Sequence, residues 1–147
     1  MERNGSAFLG ITGLTSVQRV FKLATAAEVQ RFEEEKQVLS GLDEKDGFVH
    51  LSDASAARMV AERFFPGQDL TVLELDLEKL PQPIRWIQGT MTDPEPERSL
   101  RQQASSVVHY LKPDGCVHVY GTVSMEMVVQ SAAVCCQDGK HSFPAWM

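Results

Sequence analysis

Residues 46–53, which read Asp-Gly-Phe-Val-His-Leu-Ser-Asp, constrain the fold more than any other part of the chain. An Asp-Gly pair typical of a tight turn opens the segment, and a short apolar run with one histidine and one serine follows. Alternation along a strand places Phe48, His50 and Ser52 on one face and the aliphatic residues on the other. A helical pattern begins directly afterwards, and the N–H groups at a helix start favour an anion such as phosphate. The segment therefore predicts a polar pocket at the end of a strand.

Residues 116–120 show the same alternation, with His118 and Tyr120 on one face and valines on the other. If the two strands are neighbours, both polar faces line one cleft, and His50 and His118 are then the catalytic candidates. The alternative is structural: each histidine is a core or half-buried strand residue, and Ser52 caps the next helix. Because the two histidines lack a third ligand at metal-binding spacing, we predict no metal site.

The remaining hydrophobic patterns predict an α+β fold, with strands that pair across long stretches of chain. Thr25 and Glu28 fit a capping box that starts a helix reaching about Leu39. Apolar residues at helical spacing predict another helix over 97–111. The other predicted elements are strands at 20–23, 70–77, 84–87 and 116–120, a helix over about 54–64, and a closing hairpin at Asp138-Gly139.

Breakers scattered through residues 1–19 predict a flexible N-terminal tail, with an organelle transit peptide as the alternative. Residues 20–147 are expected to form a single α+β domain. Within it, a loop and helix at about 88–113 interrupt the sequence of strands.

The overall charge limits the classes of partner. The chain has 147 residues, a formal net charge of −6 and a pI near 5.2, without a basic stripe, so we do not expect a nucleic-acid partner. No apolar segment approaches the roughly 20 residues that span a bilayer, so we expect no membrane insertion. Three cysteines, two of them adjacent, predict free thiols in a reducing, cytoplasmic setting.

Six segments in a fixed order resemble the domain-of-unknown-function 952 family over roughly residues 20–145. That family carries a segment close to GFVHLS, a later segment around Arg-Trp, and a late segment close to HVYG. The resemblance implies an ADP-ribosyltransferase-like split β-core with surrounding helices, around a cleft that binds NAD in active relatives. The matching segments are Phe21-Lys22-Leu23, residues 46–54, residues 64–70, residues 73–76, Ile84-Arg85-Trp86 and residues 118–121.

This chain departs from the family pattern at one functionally important position. The family usually has a glutamate after the tryptophan, whereas Ile87 follows Trp86 here. A carboxylate assists cleavage of a glycosidic bond through an oxocarbenium-like transition state. Glu74 and Asp76 are the candidate substitutes. The longer link between Trp86 and His118 indicates that the predicted helix over 97–111 is an insertion.

From these observations we expect a cleft for a nucleotide or another phosphorylated small molecule, with NAD or ADP-ribose as the candidate cofactor. ADP-ribosyl transfer and phosphate transfer are the candidate reactions. The alternative is a non-catalytic interaction or scaffold domain, with the acidic loop 93–97 as its partner surface. The expected ligand-binding residues are Lys22, His50, Ser52, Arg85, Trp86, His118 and Tyr120, although Trp86 also suits a place in the core.

Overall fold

The structure is a computed structural model that describes residues 19–147. Its strands and helices alternate irregularly along the chain, as expected of an α+β protein. The elements are β1 (Val20–Ala24), α1 (Ala26–Glu35), α2 (Gly41–Asp46), β2 (Val49–Ser52), α3 (Ala54–Phe64), β3 (Leu70–Leu75), β4 (Ile84–Gly89), α4 (Arg98–Gln103), β5 (Ser106–Leu111), β6 (Cys116–Tyr120), β7 (Val128–Gln137) and β8 (Lys140–Ser142), with short 3-10 helices at Leu77–Lys79 and Met125–Met127.

All the named strands form one eight-stranded sheet in the order β4-β5-β6-β2-β1-β3-β7-β8. Neighbouring strands are antiparallel except β4 and β5, which are parallel. Because β2 pairs with β6 and β1 with β3, most contacts join segments that are distant in sequence. The prediction of an α+β fold is confirmed.

The two faces of the sheet bury separate apolar clusters. On one face α1 contributes Phe32, which is fully buried against aliphatic residues from β1, β2, β3, β5 and β6. On the other face α3 packs through Ala57 and Ala61 against Phe21 and other residues of β1, β3 and β7. This second cluster covers only the β1–β3–β7 half of its face.

Helix α1 begins as predicted but ends earlier. The Thr25 hydroxyl accepts from the Glu28 N–H and the Glu28 carboxylate accepts from the Thr25 N–H, which completes the capping box. The helix ends at Glu35 rather than near Leu39, because Lys36 adopts a left-handed conformation with φ 59°. A second, unpredicted helix, α2, follows and has its own capping box.

The predicted helix over 97–111 is wrong in its second half. Helix α4 ends at Gln103, and Ser106–Leu111 form β5, which lies between β4 and β6 in the sheet. Two adjacent valines and a histidine-tyrosine pair favour a strand, and pairing on both sides decides against the helical spacing. His109 therefore lies in a strand and is 5% exposed, not at the edge of a helix.

The predicted tail, residues 1–19, lies outside the described residues apart from Arg19, whose guanidinium pairs with Glu74 at 2.8 Å. Across residues 19–147, none of the helices has both the length and the apolar character needed to cross a bilayer.

Candidate functional site

Strands β1 and β2 meet at one register position and then diverge. Phe21 is opposite Ser52, and no further pair joins these two strands within the described residues. The backbone of His50 therefore cannot complete a ladder with β1. Instead its N–H donates to the Asp43 carboxylate at 3.0 Å, and its carbonyl accepts from the Lys22 ammonium at 3.0 Å. A buried ion pair thus replaces the missing backbone hydrogen bonds.

Asp43 is the centre of this buried network. Its side chain is 0% exposed and accepts hydrogen bonds from the Lys22 ammonium at 2.8 and 3.0 Å and from the Ser40 N–H at 2.8 Å. It also lies 2.7 Å from Nδ1 of His50. Burial alone would raise the pKa of Asp43, but the hydrogen bond from His50 and the charge of Lys22 lower it well below its usual range. Asp43 is therefore a fixed anion that orients the His50 ring.

The other nitrogen of His50 also faces a carboxylate, since Nε2 lies 2.9 Å from Oδ2 of Asp46. A neutral imidazole carries one N–H, so only the protonated ring donates to Asp43 and Asp46 together. The Asp46 side chain is 35% exposed, in contrast to that of Asp43. The Nε2 side of His50 thus opens toward solvent, while the Nδ1 side is anchored.

Three histidines form a row across three adjacent strands. His118 on β6 is directly opposite His50 on β2 and directly opposite His109 on β5. Residues opposite one another in antiparallel strands share a face of the sheet. The two strands that carry His50 and His118 are therefore neighbours, which is the condition stated for a shared cleft, and β5 adds a third imidazole.

Aromatic rings surround the centre of this row. Phe48 stacks on His118 with ring centroids 4.1 Å apart and lies 5.3 Å from Tyr120. The His50 and His118 rings meet edge to face at 5.6 Å. We call the surface formed by Phe48, His50, His109, His118 and Tyr120 the histidine face.

The connection between β4 and β5 covers one side of the histidine face. The Arg101 guanidinium on α4 lies over the Tyr120 ring, 5.2 Å from its centroid. Nε of Arg101 is buried without a hydrogen-bond partner among the described residues. On the histidine face near Gly89, an added Cβ would lie 2.4 Å from Oδ2 of Asp93 and 2.7 Å from Nε2 of His109, so a side chain at this position would require Asp93 or the buried His109 to move.

The surroundings keep two of the three imidazoles neutral. Burial, followed by the nearby His50 and His109, lowers the pKa of His118 to about 4. Burial also lowers the pKa of His109, although Asp93 opposes that effect. Burial and the Glu95 carboxylate raise the pKa of Tyr120 to about 12, so its hydroxyl stays protonated. The face thus offers neutral imidazoles beside His50, the ring held between two carboxylates.

The structure places three of the seven residues expected at the site on the histidine face and two more on the same side of the sheet. His50, His118 and Tyr120 all lie on the histidine face. Ser52 is on the same side of β2, but the helix N-cap is Asp53, whose side chain accepts from the Ala56 N–H. Arg85 is exposed on β4 and is opposite Val107, which places it on the same side of the sheet but at its edge.

Lys22 and Trp86 do not join this group. Lys22 is 5% exposed, and its ammonium is already bound to Asp43 and to a backbone carbonyl. Trp86 is opposite Val108 and packs against the cluster beneath α1, on the other face of the sheet. Lys22 therefore supports the site from within, and Trp86 is part of the core packing.

The two candidate substitutes for the family glutamate also lie elsewhere. The Glu74 carboxylate is held by Arg19 and by Gln130 at 2.7 Å. Asp76 caps the 3-10 helix at Leu77–Lys79, where its side chain accepts from the Glu78 N–H. The exposed carboxylates beside the histidine face are instead Asp46, Asp93 and Glu95.

Three residues of the site were not predicted as functional. Asp43 had a detectable signal, because Ser40 and Asp43 have the spacing of a capping box, with aspartate in place of the usual glutamate. His109 was assigned to a helix, so its place on the same strand face as Val107 and Leu111 was not recognised. Nothing local distinguishes Arg101, which reaches the site only through the path of the chain after β4.

The described residues contain no group of three or more His, Cys, Asp or Glu side chains arranged to hold a metal ion. The three histidines lie in a row, and the nitrogens of His50 are engaged by carboxylates. The arrangement suits hydrogen bonding and proton transfer through imidazole.

A family model described as "Protein of unknown function (DUF952)" matches residues 23–131, which is most of the chain. The chain therefore belongs to this family, as its motifs predicted. No curated protein matches it.

The fold is similar to solved structures of protein CC0527 from Caulobacter crescentus. A crystal structure of that protein superposes with a TM-score of 0.61 at 20% identity, covering 85% of this chain and 94% of that chain. A crystal structure of its double mutant gives 0.60 at 22% identity over 85% and 94%, and a solution structure gives 0.52 at 20% identity over 85% and 91%. At these identities the likeness shows the fold alone. The finer assignment to an ADP-ribosyltransferase-like fold stays a prediction.

Proposed function

We propose that the histidine face binds a nucleotide or another phosphorylated small molecule. The observation that carries this proposal is the direct opposition of His50 and His118 on neighbouring strands, beside Arg101. Imidazole and guanidinium N–H groups are donors that recognise phosphate oxygens.

Two features support phosphate as the recognised group. Nε2 of His50 points to the more exposed of its two carboxylate partners, so a phosphate oxygen can replace Asp46 there. Nε of Arg101 has no partner among residues 19–147, and a buried unpaired N–H is a costly arrangement that a bound anion would relieve.

The aromatic residues supply the second half of a nucleotide site. Phe48 is partly exposed and already stacks on a ring, so it presents a flat apolar surface to a base. NAD and ADP-ribose are the ligands that the family resemblance favours. ADP-ribosyl transfer would require a carboxylate at the reacting carbon, and Asp46, Asp93 and Glu95 are the candidates beside the face.

Isothermal titration calorimetry with NAD, ADP-ribose and AMP tests the proposal. At least one ligand should bind, and His50→Ala should weaken that binding by about 10- to 100-fold, the loss expected for a charge-assisted hydrogen bond. His141→Ala is the matched control, because that ring lies on β8, away from the face, and contacts the backbone carbonyl of Gln68. An equal loss in both variants, or no binding of any of the three ligands, would contradict the proposal.

The competing function is a non-catalytic interaction domain that uses the acidic segment 93–97. A feature that supports it is the exposure of every residue in this segment except Pro96. Absence of ligand binding, together with capture of a basic protein partner that is lost on mutation of this segment, would favour that function.

A further inference from the structure

We propose that the histidine face hydrolyses a cyclic phosphodiester of a nucleotide, with His118 as the general base and His50 as the general acid. This inference rests on the proposed function, since it assigns a reaction to the same site. The inference is based on the different surroundings of the His50 and His118 imidazoles, which are directly opposite each other on neighbouring strands.

His118 has the surroundings of a proton acceptor. Its ring is stacked on Phe48 and partly buried, and neither nitrogen has a hydrogen-bond partner within the described residues. A neutral imidazole has one nitrogen lone pair available, which can accept a proton from a water molecule beside it. The low pKa of about 4 agrees with a ring that stays neutral when the substrate arrives.

His50 has the surroundings of a proton donor. Asp43 fixes the ring through Nδ1 at 2.7 Å and also holds the backbone N–H of the same residue at 3.0 Å. This double contact fixes the ring and the direction of Nε2. Because carboxylates face both nitrogens, the proton-donating form of the ring is the one that carries an N–H at each of them. Asp46 then occupies the place that a leaving oxygen would take, and its partial exposure lets it move into solvent. Asp43 is thus a positioning residue and His50 the catalytic one.

The separation of the rings suits a single phosphoryl group. In an in-line displacement the attacking and leaving oxygens lie on opposite sides of phosphorus. The His50 and His118 rings are in edge-to-face contact with centroids 5.6 Å apart, so a phosphate would lie over the exposed edges of both rings, with each ring beside one of these oxygens. The guanidinium of Arg101, which lies over the neighbouring Tyr120 ring, is the cation that would offset the charge that builds on the non-bridging oxygens.

The reaction balances without another reactant. Water forms a bond to phosphorus and transfers a proton to His118, while the bond from phosphorus to one ribose oxygen breaks. His50 donates its Nε2 proton to that leaving oxygen, which yields a phosphate monoester with a free hydroxyl. Proton exchange with solvent restores both rings. The neutral His118 and the doubly hydrogen-bonded His50 match these starting states.

The test measures turnover of 2′,3′-cyclic AMP and of 3′,5′-cyclic AMP by phosphorus NMR, with EDTA present to remove contaminating metal ions. We expect conversion of at least one diester to AMP. His118→Gln and His50→Gln should each lower kcat by about 100-fold or more, the range expected for loss of a general base or acid. His141→Gln, outside the site, should keep the wild-type rate.

Circular dichroism checks that each variant is folded, and His118→Asn provides a second substitution if His118→Gln is not. Calorimetry with AMP on the same samples separates the two proposals. Binding of AMP without turnover of either diester would overturn this inference and leave the binding function standing. Absence of both would overturn both, and turnover that persists in folded His118 variants would overturn the assignment of the base.

Discussion

Replacing Asp43 by asparagine tests the claim that a buried ion pair holds β1, β2 and His50 together. The change keeps the size of the side chain but removes its charge, and it leaves the ammonium of Lys22, 6% exposed, without a counterion. Removing one partner of a buried pair costs about 3–5 kcal/mol. For a chain of 147 residues this corresponds to a decrease in Tm of roughly 10 °C.

Urea denaturation and thermal melting of four variants measure this effect. Glu44→Gln is the matched control, because Glu44 lies next to Asp43 on α2 and pairs with Arg31 in an exposed salt bridge (37% and 51% exposed). It should cost about 1 kcal/mol or less. Lys22→Met alone and combined with Asp43→Asn completes a double-mutant cycle, in which the double variant should be more stable than the sum of single losses indicates. A loss below about 1 kcal/mol for Asp43→Asn, or strictly additive effects, would refute the reasoning.

Two further predictions concern the histidine face. Lowering the pH from 6.5 toward 4 should decrease the free energy of unfolding, because His118 takes up a proton in the unfolded chain at a higher pH than in the folded chain. The decrease of the His118 pKa from 6.5 to about 4 corresponds to about 3 kcal/mol at most. Solvent screening reduces this to roughly 1–2 kcal/mol. His118→Gln should flatten that dependence in urea titrations at pH 7 and 5, and an NMR titration of the ring near 6.5 would contradict the prediction. Gly89→Ala should destabilise the fold by about 1–3 kcal/mol, because its methyl group meets Asp93 and the buried His109. Gln88→Ala, at the exposed neighbouring position, should be nearly neutral in the same melts, and an equally small effect at Gly89 would show that Asp93 and His109 move aside without cost.

The elements that were predicted correctly have strong local signals. The capping box at Thr25 and Glu28 fixes the start of α1, and strict alternation identifies β2 and β6. For the elements that were missed, the local sequence pattern does not distinguish between a helix, a strand and a loop. Helix α2 is six residues long, and β5 contains apolar residues that fit either period until pairing on both sides is known.

The site residues likewise fall into those with a local sequence signal and those whose role depends on the pairing of distant strands. His50 and His118 were identified because each is the only histidine of a short strand whose opposite face is aliphatic. Their proximity depends on the pairing of β2 with β6, which no local pattern specifies, so it could be stated only as a condition. Asp43 was missed because its role depends on the divergence of β1 from β2, a property of the sheet rather than of the segment.

The parallel pairing of β4 and β5 has a consequence for how this architecture can diversify. Parallel neighbours must be joined by a long crossover, and here residues 90–105 make that passage above the imidazole row. Connecting segments tolerate changes of length and composition better than the strands that they join. Descendants of this chain could therefore acquire new ligand preferences by altering the crossover alone, while every strand pair below it stays the same.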